Sequence, residues 1–198
     1  MHRALSFLFF LPVLSFPILA QDSFPRYAIF GGSSLISSPV GFQRDIFNGW
    51  SAEFSTYFRK EIGATVSISR QYGNVTPSGC FEPGHSRFYA AYTPKLCTEG
   101  ISVGLREALA GPRFTWRKKG ITTFGDLLYG RSTASYEQGK HFSMGYGGGV
   151  DLRVNDRFSL RPFQLTYIPS RAPDSGFLWR QNFRYQTGVV FNFGGWRK

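Results

Sequence analysis

Residues 145–167 read GYGGGVDLRVNDRFSLRPFQLTY, and at the centre of this stretch Val150, Leu152 and Val154 alternate with Asp151 and Arg153. Successive side chains of a β-strand point to opposite faces, so one face here is aliphatic and the other ionic. A soluble sheet with one wet face carries this pattern. So does a membrane barrel whose outside meets lipid and whose lumen is polar. The flanking segments decide between the two.

The alternation recurs in both directions. "IGATVSIS" places Ile62, Ala64, Val66 and Ile68 opposite Gly63, Thr65, Ser67 and Ser69, a period-two pattern. "WSAEFSTYFRK" sets Trp50, Ala52, Phe54, Thr56 and Phe58 against Glu53, Ser55, Tyr57 and Arg59. "FRYQTGVVFNF" sets Phe183, Tyr185, Thr187, Val189, Phe191 and Phe193 against Arg184, Gln186, Gly188, Val190 and Asn192. Eight strands are expected, near 25–36, 50–60, 62–72, 101–117, 120–132, 143–154, 157–168 and 180–193.

The connections between them alternate in length. Residues 37–49, 73–100, 133–142 and 169–179 make long ones, whereas those at Lys60–Glu61, Lys118–Lys119 and Asn155–Asp156 are tight. Lys119–Gly120 and Asn155–Asp156 have the residue types that turns favour. Tight turns at one end and long loops at the other are the rhythm of an outer-membrane barrel, and a soluble meander has no reason to segregate its loops. The expected fold is therefore all-β, an eight-stranded antiparallel up-and-down transmembrane β-barrel. Two strands change phase at a proline, at Gly111–Pro112 and at Arg161–Pro162. Proline cannot donate to a ladder, so a β-bulge is expected at each.

The ends and the composition fit this picture. MHRALSFLFFLPVLSFPILA, residues 1–20, has a basic start, an apolar run and a small residue before Gln21, which reads as a cleaved secretory signal. Pro12 and Pro17 interrupt the run, and it is short for a spanning helix. Residues 21–198 then form one barrel domain with a net charge of +10. Aromatics make up 18% of the chain, glycine is frequent, and amphipathic helix patterns are lacking. Only Cys80 and Cys97 could form a disulfide; after export a bridge is expected, closing a loop of 16 residues. In the loop-entropy model this stabilises the fold by about 3 kcal/mol.

With the aliphatic set outside, the lumen receives Glu53, Arg59, Arg106, Asp126, Asp151, Arg153, Arg161, Gln164, Arg184 and Gln186. An eight-stranded barrel is just wide enough for side chains to fill it. Acids and arginines that pair across so narrow an interior predict a plugged lumen with no open pore. The lipid-facing set comprises Phe54, Val66, Ile68, Val150, Leu152, Tyr185, Val189, Phe191 and Phe193. Trp50, Tyr72, Tyr129, Tyr136, Tyr167 and Trp179 suit an outer aromatic girdle, and Phe58, Trp116, Phe158 and Phe193 an inner one. Arg131, Lys140, Arg171 and Arg180 lie near the outer strand ends, where they could meet lipopolysaccharide phosphates.

The chain resembles the small outer-membrane β-barrel proteins of the OmpA/OmpX transmembrane type. "FGGSS", "AGPRFTWRKKG", "GYGGGVDLRVNDRFSLRPFQLTYIPSR" and the closing "QNFRYQTGVVFNFG" carry the resemblance. It implies insertion by the outer-membrane assembly machinery, which recognises an aromatic-ended last strand. Phe191 and Phe193 match that signal, although Gly194–Lys198 extend past it. A wall-anchoring role is not implied. The partners expected are outer-membrane lipids, lipopolysaccharide among them, and the assembly machinery, with no nucleic acid and a monomeric state.

That family includes lipid-modifying enzymes, so catalytic residues matter. Only His85 and His141 survive removal of the signal, and both fall in expected loops. His141 is near Glu137 and Ser143 in sequence, but no nucleophile elbow surrounds them. Asp174–Ser175 is a poor Ca²⁺ motif, and "GYGGG" lacks the Lys-Ser/Thr and helix of a phosphate loop. No enzyme activity, cofactor or metal is expected. The function expected is a non-enzymatic outer-membrane barrel, structural or adhesive through its outer loops. A narrow pore or lipocalin-like ligand-binding barrel, and a lipid A-modifying enzyme, are the alternatives.

Overall fold

A computed structural model describes residues 24–40, 43–75, 101–135, 141–171 and 179–194. Eight strands form one closed antiparallel barrel in chain order: β1 Tyr27–Val40, β2 Gln43–Tyr57, β3 Ile62–Val75, β4 Ile101–Lys118, β5 Ile121–Ala134, β6 His141–Arg153, β7 Phe158–Arg171 and β8 Trp179–Phe193. Each strand pairs with its neighbours in sequence, and β1 closes on β8 from Tyr27↔Phe193 to Ser37↔Phe183. Closure removes the unpaired edges that an open sheet would expose. At the closing seam the Tyr27 and Phe193 rings lie 5.4 Å apart, and on the neighbouring β7–β8 pair Phe191 lies 5.2 Å from Phe158.

The tight turns form where their chemistry predicts. Lys119 and Gly120 both have positive φ, 36° and 83°, the pattern of the two-residue hairpin that matches strand twist. Asn155 Oδ1 accepts hydrogen bonds from the Arg157 and Phe158 backbone N–H groups, closing the β6–β7 turn.

The structure corrects the sequence reading at the first loop, in β4, and at His141, which was expected in a loop and instead opens β6 as a buried residue. The long connection expected at 37–49 is largely strand: β1–β2 pairing runs on through Ser37↔Ile46 to Val40↔Gln43, leaving only 41–42 between the strands. Ile46 points out and Phe47 is fully buried inside, so the two-fold alternation simply continues. The second correction concerns β4. Its register with β3 is unbroken from Ile62↔Phe114 to Val75↔Ile101, with no bulge at Gly111–Pro112. Only the bridges of Gly111 and Pro112 to β5 are missing, between Ala110↔Tyr129 and Arg113↔Asp126, because proline has no N–H to donate. Every odd residue of β4 from Val103 to Thr115 therefore faces the lumen. The phase change at Arg161–Pro162 is real: β7–β8 pairing slips between Arg161↔Gly188 and Gln164↔Gln186.

Apolar residues sit inside the barrel as well as outside. Ile36, Phe47, Val103, Leu105 and Ala134 cluster in the lumen near the loop end, and Phe24, Ala28, Phe30, Tyr57 and Val190 near the turn end. The buried ion pairs of the lumen lie between these two apolar clusters, beside a third formed by Leu109, Leu128 and Ile168.

Candidate functional site

The middle of the lumen is an ion-pair network drawn from five strands. Arg113 on β4 forks onto Asp126 on β5, Nε to Oδ1 and Nη2 to Oδ2, both at 2.7 Å. Its Nη2 also donates to Glu53 Oε2 at 2.8 Å and its Nη1 to Ser55 Oγ at 3.0 Å. Arg161 on β7 forks onto Asp151 at 2.6 and 3.1 Å and reaches Glu53 Oε2 at 2.8 Å. Gln164 donates to the other Glu53 oxygen at 2.9 Å while accepting from Arg161. Glu53 thus joins two arginines whose own carboxylates stand on either side. Forked pairs of this kind are the strong form of charge-assisted hydrogen bond. They offset the desolvation of charges that are almost wholly withdrawn from water, with Arg113 and Arg161 each 1% exposed.

Aromatic rings complete the enclosure. Phe124 lies between both guanidinium groups, its centroid 4.1 Å from Arg113 Cζ and 4.4 Å from Arg161 Cζ, and Phe30 covers Arg161 at 4.4 Å. The glycine run of β6 makes room for this stack. A Cβ on Gly149 would stand 2.8 Å from the tip of Phe124 and 2.8 Å from the Phe163 carbonyl. The glycines therefore serve packing and close strand approach.

A second network lies toward the loop end. Arg184 Nη1 donates to Glu107 Oε2 at 2.9 Å and to Ser69 Oγ at 3.1 Å, and Ser69 also donates to Glu107. Beyond it, Ser143 Oγ bonds the hydroxyls of Ser132 at 2.6 Å and Ser170 at 2.9 Å, and Asn182 donates to Ser170. His141, Arg180 and Asn182 line the recess at the loop end of the barrel.

Of the residues assigned to the lumen by sequence, Glu53, Asp126, Asp151, Arg161, Gln164, Arg184 and Gln186 are buried inside. Arg59, by contrast, is exposed in the β2–β3 turn, and Arg106 points outward. Arg106 was placed inside by the assumed β4 bulge; without that bulge its even position faces out. Arg153 is half-buried at the lumen's turn end, bonded to Asp156 of the turn. Sequence reasoning missed Arg113, the centre of the first network, and Glu107, the partner of Arg184. Their signal was present in the odd-numbered run Glu107, Leu109, Gly111, Arg113 and Thr115 of β4.

The residues assigned to lipid all lie on the outer wall: Phe54, Val66, Ile68, Leu152, Tyr185, Val189 and Phe191 are exposed, and Val150 and Phe193 half-exposed. Arg131 and Arg171 are exposed at the outer strand ends, and Arg180 is half-buried. Cys80, Cys97, Lys140, Tyr136, His85 and the signal segment 1–20 lie outside the described residues.

No family model matches this sequence, and no curated protein matches it either. Solved structures do resemble the fold. Neisserial surface protein A aligns at 10% identity with a TM-score of 0.58, over 84% of this chain and 97% of that one. Ail, the attachment invasion locus protein of Yersinia pestis, aligns at 15% identity with a TM-score of 0.51, over 84% of this chain and 97% of that one, in a complex with the heparin analogue sucrose octasulfate. The fold is that of small eight-stranded outer-membrane β-barrels.

Proposed function

We propose that this protein is an integral outer-membrane barrel without catalytic activity, whose filled lumen serves stability and whose loop end acts at the cell surface. The observation that carries this reading is the inversion of ordinary protein anatomy. Arg113, Arg161, Arg184 and Glu53 are at most 2% exposed, while Val66, Val189 and Leu165 are half exposed or more. A continuous apolar wall contributed by all eight strands has a natural solvent in hydrocarbon and none in water. The strands run 13 to 18 residues, longer than the roughly 9–11 needed by a tilted strand to cross the hydrocarbon core. Both strand ends therefore stand in the headgroup region, where exposed Trp50, Tyr72 and Tyr129 mark one boundary and exposed Phe58, Trp116 and Phe158 the other.

The route to that membrane follows the sequence: a signal at 1–20, then insertion read from Phe191 and Phe193. The segment 76–100, with its Cys80–Cys97 pair, is the largest connection at the loop end and the part best suited to an adhesive or structural contact. Two proteins of this fold bear the names of a surface protein and an attachment invasion locus protein, which is in keeping with a surface role.

Heat-modifiability tests the membrane assignment. The detergent-folded protein should migrate differently on gels before and after boiling and should need detergent for extraction. A soluble protein with no such shift overturns the proposal. Planar bilayers test the filled lumen, and steady single-channel conductance would refute it.

A further inference from the structure

The outer wall carries a group of arginines that the lumen networks leave aside. Arg70 on β3 and Arg106 on β4 are directly paired across strands, and both point outward. Arg131 on β5 sits opposite Ala108, one side-chain step diagonally from Arg106, and also points outward. Opposed side chains of this kind have Cβ atoms about 5 Å apart and diagonal neighbours about 7–8 Å, and like charges facing each other there repel.

Nothing in the described protein relieves that repulsion. The ion pairs of Arg113, Arg153, Arg161 and Arg184 with the carboxylates of the described residues involve none of these three. The carboxylates of the strands are turned the other way, since Glu53, Glu107, Asp126 and Asp151 are all buried in the lumen. Arg70 keeps its Nε buried with no hydrogen-bond partner, and its guanidinium packs 4.8 Å from the Tyr72 ring.

Their height on the wall defines the ligand. On the turn side of the three arginines the exterior is apolar, with Ile68, Ala108 and Tyr129 nearest. On the loop side, past the exposed ring of Tyr72, it becomes polar, with Asn74, Ser102, Thr133 and Ser135. Trp50 and Phe142, opposite Arg70 and Arg131 in the register, are both nearly half exposed at the same level. Three cations without a carboxylate partner among the described residues, at the top of an apolar wall and flanked by aromatic rings, match the phosphate of a lipid whose chains lie against that wall. Guanidinium groups suit phosphate because their planar donors bind its oxygens two at a time.

We infer that Arg70, Arg106 and Arg131 form an external binding site for the phosphate of a lipid headgroup in the leaflet around the loop end. This rests on the membrane reading above, and assigns its lipid contact to this trio of strands.

The test uses full-length mature protein folded in detergent, with fluorescent diphosphoryl lipid A titrated as the probe and uncharged glycolipid as the comparison. The combined Arg70→Gln, Arg106→Gln and Arg131→Gln variant should bind diphosphoryl lipid A at least about tenfold more weakly, the product of three few-fold losses at solvent-accessible contacts. Each single variant should bind a few-fold more weakly. Arg26→Gln combined with Lys118→Gln, at the turn end, should leave binding unchanged. Equal binding by the triple variant, or equal affinity of the native protein for the uncharged glycolipid, overturns the inference. Heat-modifiability of the same samples separates the two failures: a folded, detergent-dependent barrel without phosphate preference sinks this site alone, whereas a soluble protein sinks the membrane reading itself.

Discussion

Arginine occupies two opposite settings in this barrel. Inside, Arg113, Arg161 and Arg184 each meet a carboxylate within 3 Å and are essentially unexposed. Outside, Arg70, Arg106 and Arg131 line up across three adjacent strands with no carboxylate among them. The side chain is the same and the local strand geometry is the same. What differs is the dielectric on either side of the wall and whether the protein itself provides the counter-charge. Inside the lumen these ions are almost wholly withdrawn from water, so the chain must supply their partners. At the outer rim the proposed lipid phosphate would supply it.

That contrast can be broken by mutation, and the largest effect should come from its centre. Arg113→Met leaves Glu53 and Asp126 buried against each other without their shared cation. Removing one member of a buried pair costs about 3–5 kcal/mol. Equilibrium unfolding in urea, followed on gels from detergent or vesicles, should show this loss or an outright failure to fold. An unchanged midpoint would mean that water reaches the lumen and the network is not sealed.

Next in size is Glu107→Gln. Arg184 loses its anion but keeps Ser67 and Ser69 as acceptors, so the loss should be that of one charged hydrogen bond, about 1.5–3 kcal/mol. A midpoint shift as large as that of Arg113→Met would show that the two networks depend on each other.

Gly149→Val sharpens the comparison from the side of packing. Its new atoms would press on Phe124, the ring between Arg113 and Arg161, and overpacking of this kind costs about 1–3 kcal/mol. The companion Gly149→Val, Phe124→Leu pair should recover part of that loss in the same unfolding experiment. No recovery would place the strain at the Phe163 carbonyl instead.

The smallest effect belongs outside. Arg106→Gln alone should move the unfolding midpoint by no more than about 0.5 kcal/mol, as exposed substitutions do, even while it weakens lipid binding. A destabilisation comparable to that of the lumen variants would erase the distinction between the two settings.

Much of the barrel is legible in particular residues. The alternation of "IGATVSIS" locates β3, Lys119–Gly120 and Asn155–Asp156 locate two turns, and Pro162 marks the slip in β7. Phase is harder to read. On β4, Val103, Leu105 and Leu109 look like wall residues, yet they plug the lumen, because both faces of that strand meet apolar surroundings. Hydrophobicity therefore could not say which way Arg106 and Glu107 point; Arg113, beyond the proline, faces the lumen in either phase and was simply not picked out. The first loop was overestimated because Ile46 and Phe47 extend the alternation through a segment rich in Gly, Gln and Asp.

The amino-acid sequence by itself determined the two-residue rhythm, the number of strands and the position of most tight turns, since these follow from local geometry and from backbone preferences. Only the closed barrel decided which face of each strand is inside and which ions meet. Glu53 reaches Arg113 across 60 residues and Arg161 across 108. A period of two carries no sign, and only closure, which brings distant strands face to face across a narrow lumen, selects the arrangement in which each buried charge finds its opposite.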